Sequence, residues 1–287
     1  MDWWLIAFLN SFVLAGYIAM NAHFKMAGNA LVFGRSAIIV IAMLPFMLLI
    51  EWPSHLLFYI FTIASGVASA VADIIVFNCI ARYGSGAVSR LLPLKIWIVF
   101  VLWMIVSPST FLELWSEPWR FFTVVSVLIL AGVFLMSLNR CPISHKVLLI
   151  VLIPTIMWSF SDVMFKGAMI YHDVGGLTAS FQFVFVLSVV MTLIAAVNLY
   201  QKGESFMQDR NYFYVISLAA VVCFTLVALK ALAFIETPNP GYVLAISSLN
   251  VVWIYIYHRL KNIPDNSNVM AGLFFVLSTV GLVLLTK

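Results

Sequence analysis

The chain has 287 residues, of which 64% are hydrophobic and 9% charged, and a net charge of +4. These proportions exclude an ordinary soluble protein, and with almost no polar stretch longer than a dozen residues they leave no room for a soluble catalytic domain. The small positive charge bears on membrane topology rather than on nucleic acid.

Hydropathy predicts ten spans, in order 3–23, 30–50, 56–81, 85–106, 120–138, 147–170, 176–200, 212–235, 240–259 and 268–286. Their lengths suit helices, because a membrane strand needs only about 10 residues. The first stretch has no basic n-region and continues at spanning length, so it reads as a span and not as a cleavable signal. Turn formers punctuate the connections at Glu51-Trp52-Pro53, Ser107-Pro108, Glu117-Pro118, Cys141-Pro142, Thr237 to Pro240 and Ile263-Pro264. On the third span, Ser65, Gly66, Ser69 and Ala70 place small residues at spacing four, which predicts close helix packing.

The fourth span is chemically the costliest. It carries Arg90, Pro93 and Lys95 within apolar sequence. A rise of about 1.5 Å per residue puts Lys95 about 15 Å into the bilayer, where a cation needs a partner, water or a ligand. Pro93 has no N–H for the carbonyl of Ser89, which predicts a kink and a free backbone oxygen beside the charges.

The two halves look related. Tyr17 to Lys25 reads as an aromatic residue followed at fixed spacing by Phe-Lys, and Trp158 to Lys166 repeats it. Gly86 to Leu94 and Gly241 to Leu249 keep Gly, Val and Leu in register, which sets Ser248 opposite Pro93 and Asn250 opposite Lys95. A duplicated unit with an odd number of spans inserts in opposite orientations. The expected architecture is therefore all-α and polytopic: ten transmembrane helices as two inverted five-helix repeats, 1–142 and 143–287, around a central cavity.

Lys25, Arg82, Arg140, Lys146, Lys202, Arg210, Arg259 and Lys261 fall in loops after odd-numbered spans, while the other side has mainly Arg120 and Lys287 with Glu51, Glu113, Glu117, Asp173 and Glu236. The positive-inside rule then places both termini outside the cytoplasm. Cys79, Cys141 and Cys223 are isolated, with no CxxC, and predict neither disulfide nor zinc.

Besides Arg90 and Lys95, the spans enclose Asn10, Asn21, Arg35, Asp73, Asn78, Asp162, Lys166, Gln182, Lys230 and Asn250. Such groups face a bundle interior or a wet cavity, either as a site or as interhelical glue. Asp162 and Lys166 stand at i, i+4 with the acid first, the favourable order for an intrahelical pair. Asp73 has no cation within one turn and needs a partner from another helix, a cross-half pair with Lys230 being one choice, or else a proton. Embedded cations outnumber embedded carboxylates, which favours an anionic or zwitterionic solute bearing carboxylate or phosphate. The expected binding residues are Arg90, Lys95, Arg35, Lys230, Tyr17, Trp97, Trp158 and Asn250, with Trp253 as a further wall candidate. Asp73 and Asp162 are the proton-coupling candidates.

The five-plus-five layout, the loop Glu113 to Trp119 before a short fifth span, and the Gly-Ala-Val…Leu-Pro-Leu run at Gly86 to Leu94 resemble the drug/metabolite transporter superfamily in its ten-helix EamA-type form. In that family a proline-containing fourth span and its ninth-span counterpart line the cavity. Here Pro93 matches and Ser248 replaces the second proline, and the loop charges oppose the family's cytoplasmic termini. The resemblance implies secondary transport of a metabolite by alternating access, proton-coupled or by exchange, in a bacterial inner membrane. A flippase for a phosphate-bearing lipid-linked sugar is the alternative. The expected partners are the anionic substrate, membrane lipids and protons, with no cofactor. An intramembrane enzyme has less support, because the five histidines lie at span ends or loops without HExxH or GxSxG.

Overall fold

A computed structural model describes residues 2–24, 26–83, 92–138, 145–203, 205, 211–262 and 267–286, with the backbone alone at 22, 80–83, 92–93 and 145–148. All its regular structure is helical: α1 (Trp3–Phe24), α2 (Gly28–Met47), α3 (Leu56–Tyr83), α4 (Leu92–Val106), α5 (Pro108–Trp115), α6 (Pro118–Leu138), α7 (His145–Ile170), α8 (Gly176–Lys202), α9 (Tyr212–Glu236), α10 (Pro240–Ser247), α11 (Asn250–Leu260) and α12 (Val269–Thr286). Among the described residues, nine segments are long and apolar enough to cross a bilayer, Pro240–Leu260 counting as one. Helices satisfy their own backbone groups, which is what lets such sequences enter hydrocarbon. Phe12, Ile105, Leu193 and Leu284 point outward while Asn10, Arg35, Asp162 and Gln182 are buried, the polarity expected of a lipid-embedded bundle. The chain is a polytopic all-helical membrane protein.

The described part of the fourth span is the 15 residues of α4. Residues 84–91 lie outside the described residues. They include Arg90 and Ser89, so neither the Arg90 prediction nor the Pro93 kink is addressed. Two breaks were not legible in hydropathy. The expected loop after Val106 forms α5, a short helix bent 101° from α4. Pro108 and Pro118 open α5 and α6, positions where a missing N–H costs nothing. The ninth span is interrupted between α10 and α11, where Leu249 N–H reaches back to Ile246 O at 2.9 Å and Val251 N–H to Ser248 O at 3.2 Å, a tightened turn inside the span. That interruption falls at Ser248, the position aligned with Pro93.

Taking the spans as one to ten, the third packs on the sixth (α3 on α7), the first on the eighth (α1 on α9), and the second on the seventh (α2 on α8). The fourth packs on the ninth (α4 on α10) and the fifth on the tenth (α6 on α12). Exchanging each span with the one five places away returns the same set of pairs.

The small residues of α3 behave as their spacing predicts. Ser65 and Ser69 meet the Ser161 hydroxyl of α7 at 2.9 and 2.6 Å, and Gly66 lies against Val190 of α8. One end of the bundle is laced across the two halves. Trp103 Nε1 donates to Pro238 O at 2.9 Å, and Gln182 Nε2 donates to Glu51 O at 2.5 Å. Ser54 N–H donates to both Asp173 oxygens at 3.1 Å, and the Ser54 hydroxyl adds a third bond. These bonds hold the exposed Asp173 carboxyl below its usual range. Glu51 and Asp173 thus share the end expected to be acidic.

Trp97, predicted to line the cavity, is a brace instead. Its Nε1 donates to Leu128 O at 2.9 Å on α6, and its ring covers Gly132, where a methyl group would overlap the indole. Gly132→Ala is expected to cost about 1–3 kcal/mol through overpacking, seen as a lower unfolding midpoint with Leu128→Ala-type cavities as the reference. An unchanged midpoint would show that the indole moves freely.

Candidate functional site: a charged cavity between the halves

A cavity of about 230 Å³ lies at the centre of the bundle, lined from eight of the ten spans and by none of α6 or α12. Its apolar wall comes largely from α2, α8 and α9, including Ile39, Val184, Leu187, Met191, Leu226 and Val227. Its polar wall carries Arg35, Asp73, Lys95, Trp158, Asp162 and Lys230.

These six form one connected arrangement. Asp73 pairs through Oδ2 with Arg35 of α2, and its Oδ1 accepts from Trp158 Nε1 of α7 at 2.7 Å. Asp162 pairs through Oδ1 with Lys230 of α9, and its Oδ2 lies 2.6 Å from Lys95 Nζ of α4. Each carboxylate therefore holds a cation of its own half with one oxygen and faces a donor from the other half with the other. Lys95 also sits 5.3 Å from the Trp158 ring, and Arg35 lies 5.6 Å from the Tyr17 ring, so aromatic faces carry part of the desolvated charge. The Lys95 contact differs in kind: at 2.6 Å it is a close ion pair, but Asp162 Oδ2 has no partner in hydrogen-bond geometry. Tyr17 Oη, Arg35 Nε and Ser247 Oγ are buried along the same cavity without hydrogen-bond partners.

Arg35, Lys95, Lys230, Tyr17, Trp158, Asp73 and Asp162 are thus brought together, as the sequence suggested. Tyr17 and Trp158, which the sequence alignment of the two halves sets opposite each other, both line the cavity, as do Asn21 and Asp162, aligned in the same way. Asn250 does not line it; the residue is buried at the start of α11. Trp253 lies outside too, donating to Ser11 Oγ at 2.9 Å. Pro93 falls in the first turn of α4, with its side chain outside the described residues.

Two pairings differ from expectation. Lys230 pairs with Asp162, not Asp73. Asp162 does not pair with Lys166 one turn away, because Lys95 and Lys230 approach it from the cavity side. Lys166 turns from the cavity and donates to Phe234 O and, at 2.7 Å, to Thr237 O, carbonyls left open where α9 ends before Pro238. A cation suits a helix C-terminus. Lys166→Met is expected to lower stability by about 1.5–3 kcal/mol, the value of hydrogen bonds from a charged donor, while leaving ligand preference unchanged. A changed preference in a binding assay would return Lys166 to the site.

Sequence reading missed the polar floor supplied by Ser36, Ser65, Ser69, Ser161, Ser188 and Ser247. Serine is common at helix–helix contacts, and only the adjacency of Ser161 to Asp162 hinted at a second role. Comparison with protein-family models and with curated proteins finds no match for the chain.

Proposed function

We propose that the chain is a secondary transporter of a small anionic or zwitterionic metabolite, working by alternating access between two inverted five-helix halves. The observation that carries this is the chain of charged groups across the halves, gathered around a central cavity. Intramembrane charges are costly and mark substrate pathways, and two of the contacts in this chain join parts that alternating access would separate. The pairing of spans and the interruption of the ninth span at the residue aligned with Pro93 favour the repeat and, with it, a drug/metabolite-type transporter. Lys95 contacts the anionic group, Arg35 and Lys230 assist, and Asp73 or Asp162 couples protons. The acidic end faces away from the cytoplasm of a bacterial inner membrane. A cavity of about 230 Å³ falls below the ~300–1,000 Å³ of drug-sized sites, which favours a small metabolite over a lipid-linked sugar.

The test is uptake into proteoliposomes, screened over carboxylates, amino acids, phosphosugars and nucleotide sugars with and without a pH gradient. Saturable, protein-dependent accumulation of one class supports the reading. Its absence for all of them, with the protein folded, overturns it.

A further inference from the structure

Resting on that reading of the cavity, we infer that its ligand is a monoanion, a small carboxylate with an apolar body, which takes the place of Asp162 on Lys95.

Charge fixes the valence. Among the described residues that line the cavity, with every group in its ordinary ionic form, Arg35, Lys95 and Lys230 exceed Asp73 and Asp162 by one positive charge. A buried excess charge is strongly unfavourable unless it is paired. One carboxylate cancels it. A phosphate monoester, at about −1.5 to −2 near neutral pH, reverses the sign, and an amino acid brings its own ammonium and leaves the excess in place.

Geometry fixes the contact point. Arg35 and Lys230 are held by hydrogen bonds to their own carboxylates. Lys95 touches Asp162 only outside hydrogen-bond geometry. An ammonium has three N–H donors, and none of those on Lys95 is held by a carboxylate of its own half, whereas Arg35 and Lys230 each commit a donor to theirs. Asp162 already offers Lys95 a carboxylate, so it serves as an internal stand-in for the ligand. A free carboxylate can replace it because Asp162 keeps Lys230 when Lys95 leaves. The exchange opens one of the two contacts by which this charged cluster joins the halves, which ties binding to their separation. The aliphatic wall on α2, α8 and α9 then faces the remainder of the ligand, and the unpartnered Tyr17 Oη and Ser247 Oγ supply donors to its second oxygen.

The experiment follows thermal unfolding of the full chain in detergent with three six-carbon probes, sodium hexanoate, norleucine and hexylammonium chloride, and with inorganic phosphate. Hexanoate is expected to raise the midpoint saturably, with apparent affinity at least about tenfold better than the other three, a gap equivalent to ~1.4 kcal/mol. In Asp162→Asn the stand-in is gone and hexanoate binds about tenfold tighter. In Lys95→Met its effect disappears, which separates binding from detergent-like action. Phosphate or norleucine matching hexanoate, or an Asp162→Asn affinity that is unchanged or weaker, overturns the inference. Uptake of benzenesulfonate, a monoanion that cannot cross lipid by protonation, distinguishes the two levels. If hexanoate binds but vesicles move no solute, the transporter reading falls and the monoanion site stands. If vesicles accumulate phosphate or an amino acid through the Lys95 cavity, transport stands and the monoanion assignment falls.

Discussion

Asp162→Ala is expected to be the most destabilising single change in the membrane core, lowering stability by about 3–5 kcal/mol, the usual result of removing one member of a buried ionic group. Asp162 is the shared partner of two ammonium groups, bonded to Lys230 and in contact with Lys95. Without it both cations remain in a largely buried site, and the excess in the cluster rises from one to two. The test for this cause is a second substitution. Asp162→Asn combined with Lys230→Met removes one carboxylate and one cation and returns the excess to one. The pair is expected to recover most of the loss seen in Asp162→Asn alone, measured as unfolding midpoints in the same detergent. Near-additive losses, with the double variant worse than either single variant, would mean that packing around Phe165 and Phe234, whose rings flank Lys230 at 5.7 and 5.4 Å, matters more than charge.

The same cluster shows how far the sequence can be read. Arg35, Asp73, Lys95, Asp162 and Lys230 are conspicuous because hydrocarbon cannot solvate them, so burial in one place is the physical default. Their partners were not legible. Spacing suggested Asp162 with Lys166, a correct rule for an isolated helix. In the bundle, Lys166 faces the end of α9, whose open carbonyls attract a cation more effectively than a carboxylate already held from the cavity. Trp97 and Trp158 illustrate the same limit. Both are span tryptophans, yet one N–H braces a helix backbone and the other holds Asp73. The direction in which a side chain leaves its helix decides between these roles, and hydropathy carries no such information. The span pattern survives because it depends on length and apolarity alone. The break at Ser248 escaped hydropathy, since a turn inside a buried span changes no residue's polarity, and the alignment of Ser248 with Pro93 did not predict it, because serine, unlike proline, keeps its N–H.

Lys95→Met is expected to reduce uptake of the transported anion at least about 30-fold, equivalent to ~2 kcal/mol of lost interaction, while leaving the protein folded. The two effects separate for a structural reason. Asp162 keeps its hydrogen bond to Lys230 when Lys95 is removed and loses only the ion pair with Lys95. Among the described residues of the cavity, Arg35, Lys230, Asp73 and Asp162 then balance. Methionine retains the length and flexibility of the lysine stem and packs against the Trp158 ring, so a loss of uptake reports the ammonium rather than a cavity. Lys95→Arg keeps the charge and is expected to retain measurable uptake with a weaker apparent affinity, because a planar guanidinium presents its donors in a fixed fork. Uptake into proteoliposomes, normalised to folded protein by gel filtration, measures both. Wild-type uptake in Lys95→Met would remove Lys95 from the site. A Lys95→Met protein that aggregates would show that the contact between α4 and α7 holds the fold, and the comparison with Lys95→Arg would then measure that contact in place of substrate recognition.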